Sequence, residues 1–216
     1  MADTKRKQKL LIVGAGGHAV SCIDVVEQQG VYDILGLVGL PEEVGKKVLG
    51  YEVLGTDQDL PYLNQYAEAA LIAVGQIKTI APRREIAIQL LELGFTVPVV
   101  VSPHAYVSEH AQLGAGTIVM HGAIINANVR IGNFAIINSK ALLEHDVQVG
   151  EFCHVSTMAS INGSCRVGDN CFIGSQACIQ DGLIIGSNSV IASNSLLRKN
   201  LSEGSSFVGH NNSKND

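Results

Sequence analysis

The chain has no tryptophan, and aromatic residues make up only 5% of its 216 positions. Charged residues are also sparse at 16%, and their balance is a net −5 with a pI near 5.8. That balance excludes a global attraction to nucleic acid or to an anionic membrane. The short basic cluster of Lys5, Arg6, Lys7 and Lys9 reads as a solvated tail. Long hydrophobic runs are missing too. The first apolar stretch, Leu10 to Val13, is too short for a signal-peptide core and runs into a glycine turn, and no stretch approaches a membrane span. The expected location is the cytoplasm. Five cysteines occur without a CxxC spacing, which argues against a zinc ribbon or a redox pair.

What the sequence does have is a register. From Val101 to Leu197 every sixth residue is Val, Ile or Leu, and a second register two residues ahead holds mostly Ala, Ser, Thr or Cys. Glycine follows the aliphatic position at Gly114, Gly132, Gly150, Gly168 and Gly186, a spacing of eighteen, so three six-residue steps make one coil. An amphipathic helix needs apolar spacing near 3.6 and a half-buried strand alternates in twos; a period of six fits neither. A stacked solenoid fits, because each short strand can bury its aliphatic side chain only against its neighbours. The expected architecture is a triangular parallel β-helix over residues 101–216, with adjacent coils about 4.8 Å apart. Cys153, Cys165 and Cys171 fall in the small-residue register and read, like Cys22 and Cys178, as structural thiols.

Residues 1–100 read differently. Leu10 to Val13 predicts a buried strand, Gly14-Ala15-Gly16-Gly17-His18 a turn, and Ala19 to Gln29 a helix closed by Gly30. Strands follow at Ile34 to Val38, Glu52 to Leu54 and Ala70 to Val74, with helices after Asp57 and over Pro82 to Leu93. The alternation predicts a small Rossmann-like α/β domain. A glycine turn opening a helix offers free N–H groups to a phosphate, although the same glycines also permit close strand-to-helix packing. No acidic residue follows Val38 to hold a ribose, so the turn is not read as a nicotinamide site.

Gly-Ala-Gly-Gly-His near the N-terminus, Ser102-Pro103-His104-Ala105 at the junction, and Glu144-His145-Asp146 within the hexapeptide solenoid together resemble the NeuD/PglD family of sugar acetyltransferases. The resemblance covers nearly the whole chain. It implies a left-handed coil, a nucleotide-sugar held by the N-terminal domain, acetyl-CoA as co-substrate on the solenoid, and a homotrimer with active sites between subunits. Closed cyclic association would also cover the flat apolar faces that an isolated triangular solenoid exposes.

His145 lies two residues past the inward Leu143, which places it near a corner between two carboxylates. Acetyl transfer needs a base, and imidazole beside a carboxylate can serve. On the residues alone, a hydrophilic corner is equally open. The resemblance makes His145 the general base and Asp146 its partner. Gly163, eighteen residues on, falls one coil below His145, where its backbone N–H could donate to the thioester oxygen. His154 is half a coil around and so faces away from His145 within one chain; a lone histidine there is more often a surface group. The resemblance assigns acetyl-CoA contacts to His154, Ser175 and Ser193, and acceptor contacts to Gly14, Ala15, Gly16, Gly17, His18, Asn138 and Arg83. Arg83 reads equally as a helix-surface charge beside Arg84.

Two segments depart from the family pattern. Gly39-Leu40-Pro41-Glu42-Glu43 replaces an acidic pair expected to read the nucleotide base, and Gly209-His210-Asn211-Asn212-Ser213-Lys214 replaces the usual tail. Arg198 and Lys199 stay candidates for CoA phosphates by charge. The expected activity is acetyl-CoA-dependent N-acetylation of a nucleotide-linked 4-amino-4,6-dideoxy sugar in bacterial surface glycan synthesis. O-acetylation of a sialic-acid-type sugar and a non-catalytic sugar-nucleotide-binding partner are the alternatives. A metal-dependent hydratase is disfavoured, because His104, His110, His121, His145 and His154 lack a close pair with a third ligand upstream, and no metal is expected.

Overall fold

The computed structural model describes residues 7–76 and 79–209; the notable tail residues from His210 onward, and Lys5 and Arg6, lie outside them. The chain divides into two compact units. One holds the chain up to Gly75 together with Ala81–Val100, and the other holds Gln76–Ile80 and the chain from Val101.

The first unit is a five-stranded sheet. Its strands are β1 (Gln8–Val13), β2 (Tyr32–Val38), β3 (Lys47–Val48), β4 (Tyr51–Gly55) and β5 (Ala69–Ile72), in the order β3-β4-β2-β1-β5. All neighbours are parallel except β3 and β4. The helices are α1 (Gly17–Gln29), α2 (Leu60–Leu63) and α3 (Ala81–Glu92). Leu10, Leu11 and Ile12 are fully buried, which is why β1 reads as an unbroken apolar run. α1 stops where Gly30 turns left-handed, φ 67°, and returns its N–H to Val26 O at 3.1 Å. Because β1 lies between β2 and β5, the chain leaves β1 toward one side and returns on the other. The crevice at such a switch point, beyond the carboxyl ends of the strands, is where open α/β sheets bind ligands.

In the second unit the hexad register becomes three parallel sheets. The first face has seven strands from Val100–Val101 to Ser206–Phe207, the second six from Tyr106–Val107 to Leu196–Leu197, and the third five from Gln112–Leu113 to Ile184–Ile185. Strands pair eighteen residues apart, as His154 does with Phe172, until the last coil, where Val190 pairs with Ser206 sixteen residues on. The aliphatic column points inward, and Val119, Ile137, Val155, Ile173 and Ile191 are fully buried. The small register fills the corners. There Thr117, Cys153, Cys165 and Cys171 donate to backbone carbonyls of Gly132, Gly168, Gln180 and Gly186 at 3.0–3.3 Å. Cys178 instead starts a strand of the second face and is half-buried on its outer side.

Each corner is a turn whose third residue is left-handed, without a break from Gly116 and Gly122 through Asn128, Phe134, Lys140 and Asp146 to Asn194. The glycine column has a different cause. A Cβ at Gly114 would stand 2.5 Å from Asn133 N, and one at Gly132 2.6 Å from Glu151 N, so the next coil's backbone occupies that space.

Candidate active site

The turn after β1 divides its glycines by role. Gly14 has φ 121°, and a Cβ there would stand 2.9 Å from the Ala73 carbonyl carbon, so it serves the close approach of β1 to the end of β5. Gly16 and Gly17 have open space where a Cβ would be, and Gly16 at the N-cap of α1 provides no side-chain cap. The start of α1 at the switch point is therefore uncrowded by side chains at Gly16 and Gly17, with Ala15 beside Gly39 and His18 beside Gly75.

Arg83 is not a surface charge. It is fully buried, and its Nη1 donates to Ile72 O at 2.7 Å and Val74 O at 3.0 Å. Burial pulls its pKa down to about 10 and pushes that of its neighbour Cys22 up to about 12. The guanidinium braces the chain leaving β5, which ends at Ile72, opposite the last residue of β1, rather than at Val74.

His145 and Asp146 form the turn between the second and third faces, Asp146 with φ 62° in the left-handed position that Asp tolerates. That conformation brings Asp146 Oδ2 to 2.9 Å from His145 Nδ1. A carboxylate only accepts, so Nδ1 carries the hydrogen and Nε2 keeps its lone pair. Both carboxylates of the motif are tethered one coil earlier: Asn128 donates to Asp146 at 2.5 Å and Asn126 to Glu144 at 2.9 Å. The His145 pKa is raised, first by the hydrogen bond to Asp146; desolvation, the next largest effect, opposes this, and the charges of Asp146, Glu144 and Asp181 each add a smaller rise. Asp146 is correspondingly lowered by His145 and Asn128.

Gly163 sits under the ring. A Cβ there would stand 2.7 Å from both Cε1 and Nε2 of His145. Its N–H, expected to be open as an oxyanion donor, is instead taken by Asp181 Oδ1 at 3.2 Å. The sequence reading missed Asp181, although the same eighteen-residue arithmetic that finds Gly163 finds it.

His154 is not a surface group. It is 6% exposed; Nδ1 lies 2.7 Å from Gln76 O, Asn138 Nδ2 lies 3.2 Å from Nε2, and Phe172 meets the ring edge-on. The carbonyl accepts from Nδ1 and the amide donates to Nε2, which fixes a neutral tautomer. Asn138 lies with His154 at the end of the first face, its Oδ1 accepting from Ser139 N at 2.7 Å. Ser175 and Ser193 lie on the corner between the first and second faces, Ser175 bonded to Ser156 at 2.9 Å. One chain therefore assembles His145, Asp146 and Gly163 at one corner, and Asn138 and His154 at another place.

Among the described residues no cluster of three or more His, Cys, Asp or Glu could hold a metal, and no helix is long and apolar enough to cross a membrane.

Comparison with known proteins follows the same division. Residues 9–90 match the PglD N-terminal domain family and residues 164–199 the bacterial transferase hexapeptide repeats. No curated protein matches significantly by sequence. PerB from Caulobacter crescentus, solved with CoA and GDP-perosamine, is 30% identical over 90% of this chain and 91% of its own, with a TM-score of 0.84. The acetyltransferase domain of PglB from Neisseria gonorrhoeae FA1090, solved with acetyl coenzyme A, is 30% identical over 93% of this chain and 95% of its own, with a TM-score of 0.85. With its glycine-turn α/β unit and its left-handed hexapeptide coil carrying a histidine–carboxylate corner, the chain belongs to the NeuD/PglD-type family of sugar acetyltransferases.

Proposed function

We propose that the chain transfers an acetyl group from acetyl-CoA to the 4-amino group of a nucleotide-linked 4-amino-4,6-dideoxy sugar for surface glycan synthesis, with His145 as general base. The observation that carries this is the His145–Asp146 pair at 2.9 Å, with Nε2 free above a position that has no side chain. The 30% identity to PerB, solved with GDP-perosamine and CoA, supports the substrate class. The neutral amine attacks the thioester carbon, the C–S bond breaks, and Nε2 accepts the surplus proton from nitrogen, which leaves with the CoA sulfur as thiol. Asp146 holds the ring and stabilises its protonated form, as the acid does in a triad, and no covalent enzyme intermediate is needed.

The acceptor's diphosphate would rest on the open N-terminus of α1 at Gly16, Gly17 and His18, with Gly14 and Ala15 shaping the turn and Arg83 bracing the strand end behind it. Acetyl-CoA would lie along His154, Ser175 and Ser193, with Asn138 fixing His154. Because these residues and His145 occupy different parts of the coil, a complete site needs a second copy. A homotrimer with shared sites meets that need, and the outward column of the second face, Tyr106, Ile124, Leu142, Ser160, Cys178 and Leu196, is apolar at four of its six positions and suited to being covered. The protein would work in the cytoplasm, where nucleotide sugars and acetyl-CoA are made.

Release of free CoA thiol, assayed with UDP-, GDP- and dTDP-linked 4-amino-4,6-dideoxy sugars and with His145→Ala in parallel, tests this. Release with one acceptor that collapses in the variant is the expected result. Release with none of them would overturn it. Light scattering tests the assembly, and a monomer would remove the shared site.

A further inference from the structure

Asp181 occupies the same corner column as His145 and Gly163, one coil beyond the glycine. Its Oδ1 accepts the Gly163 N–H at 3.2 Å, and Gly163 lies against the imidazole. The corner is thus a stack of ring, glycine and carboxylate. Glu144 and Asp146 flank the ring, and both are tied from the coil above by neutral amides, Asn126 and Asn128. The first cation down the column is Lys199, one coil past Asp181, so no positive side chain in it stands between Asp181 and His145.

Given the reading that the chain acetylates an amine, we propose that Asp181 is a positioning residue that selects the acceptor. Its carboxylate fixes the Gly163 amide beneath His145 and completes a surround of three carboxylates favouring a cationic amine over a hydroxyl acceptor, above all one that carries its own negative charge.

The physical argument has two parts. An unperturbed alkylamine is protonated near neutral pH, as lysine is, so the acceptor arrives as an ammonium ion. Three carboxylates around one imidazole attract that ion and repel a carboxylate-bearing sugar. The ammonium gives one proton through His145 to solvent before the neutral nitrogen attacks. The second proton ends on the CoA sulfur, so the overall exchange is ammonium plus thioester to amide, thiol and one released proton. The second part is geometric. With Asp181 holding the Gly163 amide, the backbone under the ring cannot rotate its N–H toward the imidazole.

Asp181→Asn keeps an oxygen that can accept from Gly163 and removes the charge; Asp181→Ala removes both. Rates for the amino sugar would be measured from about pH 6 to about pH 9, and binding of its 4-hydroxy counterpart by calorimetry. Asp181→Asn is expected to raise KM for the amine by about three- to fivefold, more at low salt than at high, and to leave the 4-hydroxy compound's affinity unchanged. It should also move the acid limb of kcat/KM to lower pH. Asp181→Ala should add a loss in kcat that Asp181→Asn does not show. Equal weakening of both acceptors, or an Asp181→Asn enzyme with unchanged KM and pH limb, would overturn the proposal while leaving the amine reading intact. No amine turnover by the unsubstituted protein would remove both together.

Discussion

His145 and His154 lie in one repeat, yet their surroundings are opposite. The first is at a corner with 64% of its side chain exposed and a carboxylate at 2.9 Å. The second is on a strand, 6% exposed, with a backbone carbonyl and an amide as its partners. A solenoid gives every residue type the same few backbone positions, so the column a histidine occupies decides what it can do. At the corner, water and ionised partners make protonation inexpensive. Under Gln76 the ring is enclosed, with a backbone carbonyl at Nδ1 and the Asn138 amide at Nε2.

Separate readouts give the largest test of that contrast. His145→Ala should lower kcat by about 10²–10⁴-fold, the usual weight of a general base, while its thermal midpoint stays that of the parent. His154→Ala should act first on stability, with the lost acetyl-CoA contact showing in KM rather than in the chemical step. It strips partners from Gln76 O and Asn138 and opens a void beside Phe172, costing about 2–4 kcal/mol. Thermal unfolding of both variants beside initial rates decides it, and a His145→Ala protein that loses stability as His154→Ala does would collapse the contrast.

Gly163→Ala comes next. The added carbon would stand 2.7 Å from Cε1 and Nε2, so the ring must swing away and lose Asp146. Misplacement of this order costs about 10²-fold in kcat. Gly163 does not have a positive φ, so no backbone strain accompanies it and the melting temperature should hold. An active Gly163→Ala enzyme would show that the ring does not work from this pose.

Asp146→Asn probes the charge at the corner. His145 is raised mainly by this bond, so in the variant the base is free of its proton at lower pH, and the acid limb of kcat/KM should move down while the plateau falls about tenfold. The stability signs are opposite for the two groups. The raised His145 stabilises fully below its unfolded value near 6.5, and that contribution fades as pH rises through the folded value. The depressed Asp146 stabilises above its unfolded value near 3.8 and loses this as pH falls through the folded value. The pair therefore contributes fully between those two unfolded values, and Asp146→Asn should lower stability across that window and flatten its fall above about 6.5 and below about 3.8.

The solenoid, the corner position of His145 and the placement of Gly163 beneath it were all legible in the sequence, because coils of constant length turn residue numbers into coordinates. Asp181 obeys the same arithmetic, but only its bond to Gly163 N–H shows that it closes a donor expected to be open. Contacts made from outside the repeat escape any such reading. Gln76 buries His154 from 78 positions away in sequence, and no periodicity announces it. Arg83 is similar: a helical arginine beside Arg84 gives no sign that two carbonyls at the end of β5 await it. The glycine turn was legible as a motif but not in its parts, since only the approach of Ala73 separates Gly14 from Gly16 and Gly17.

Glu144→Gln is the smallest and most discriminating change. Glu144 does not bond to the ring; Asn126 holds it at 2.9 Å, and it reaches His145 by charge alone. Glutamine keeps an oxygen for Asn126, so packing and the Asp146 bond survive. The acid limb should still move to lower pH, by less than in Asp146→Asn, and the difference from the parent should shrink at high salt because an exposed charge is screened. A shift as large as that of Asp146→Asn would mean that the bond is not what sets the base and that the corner acts as a diffuse acidic field. A shift of zero would mean that Asp146 and Asp181 account for all of the carboxylate effect on this histidine.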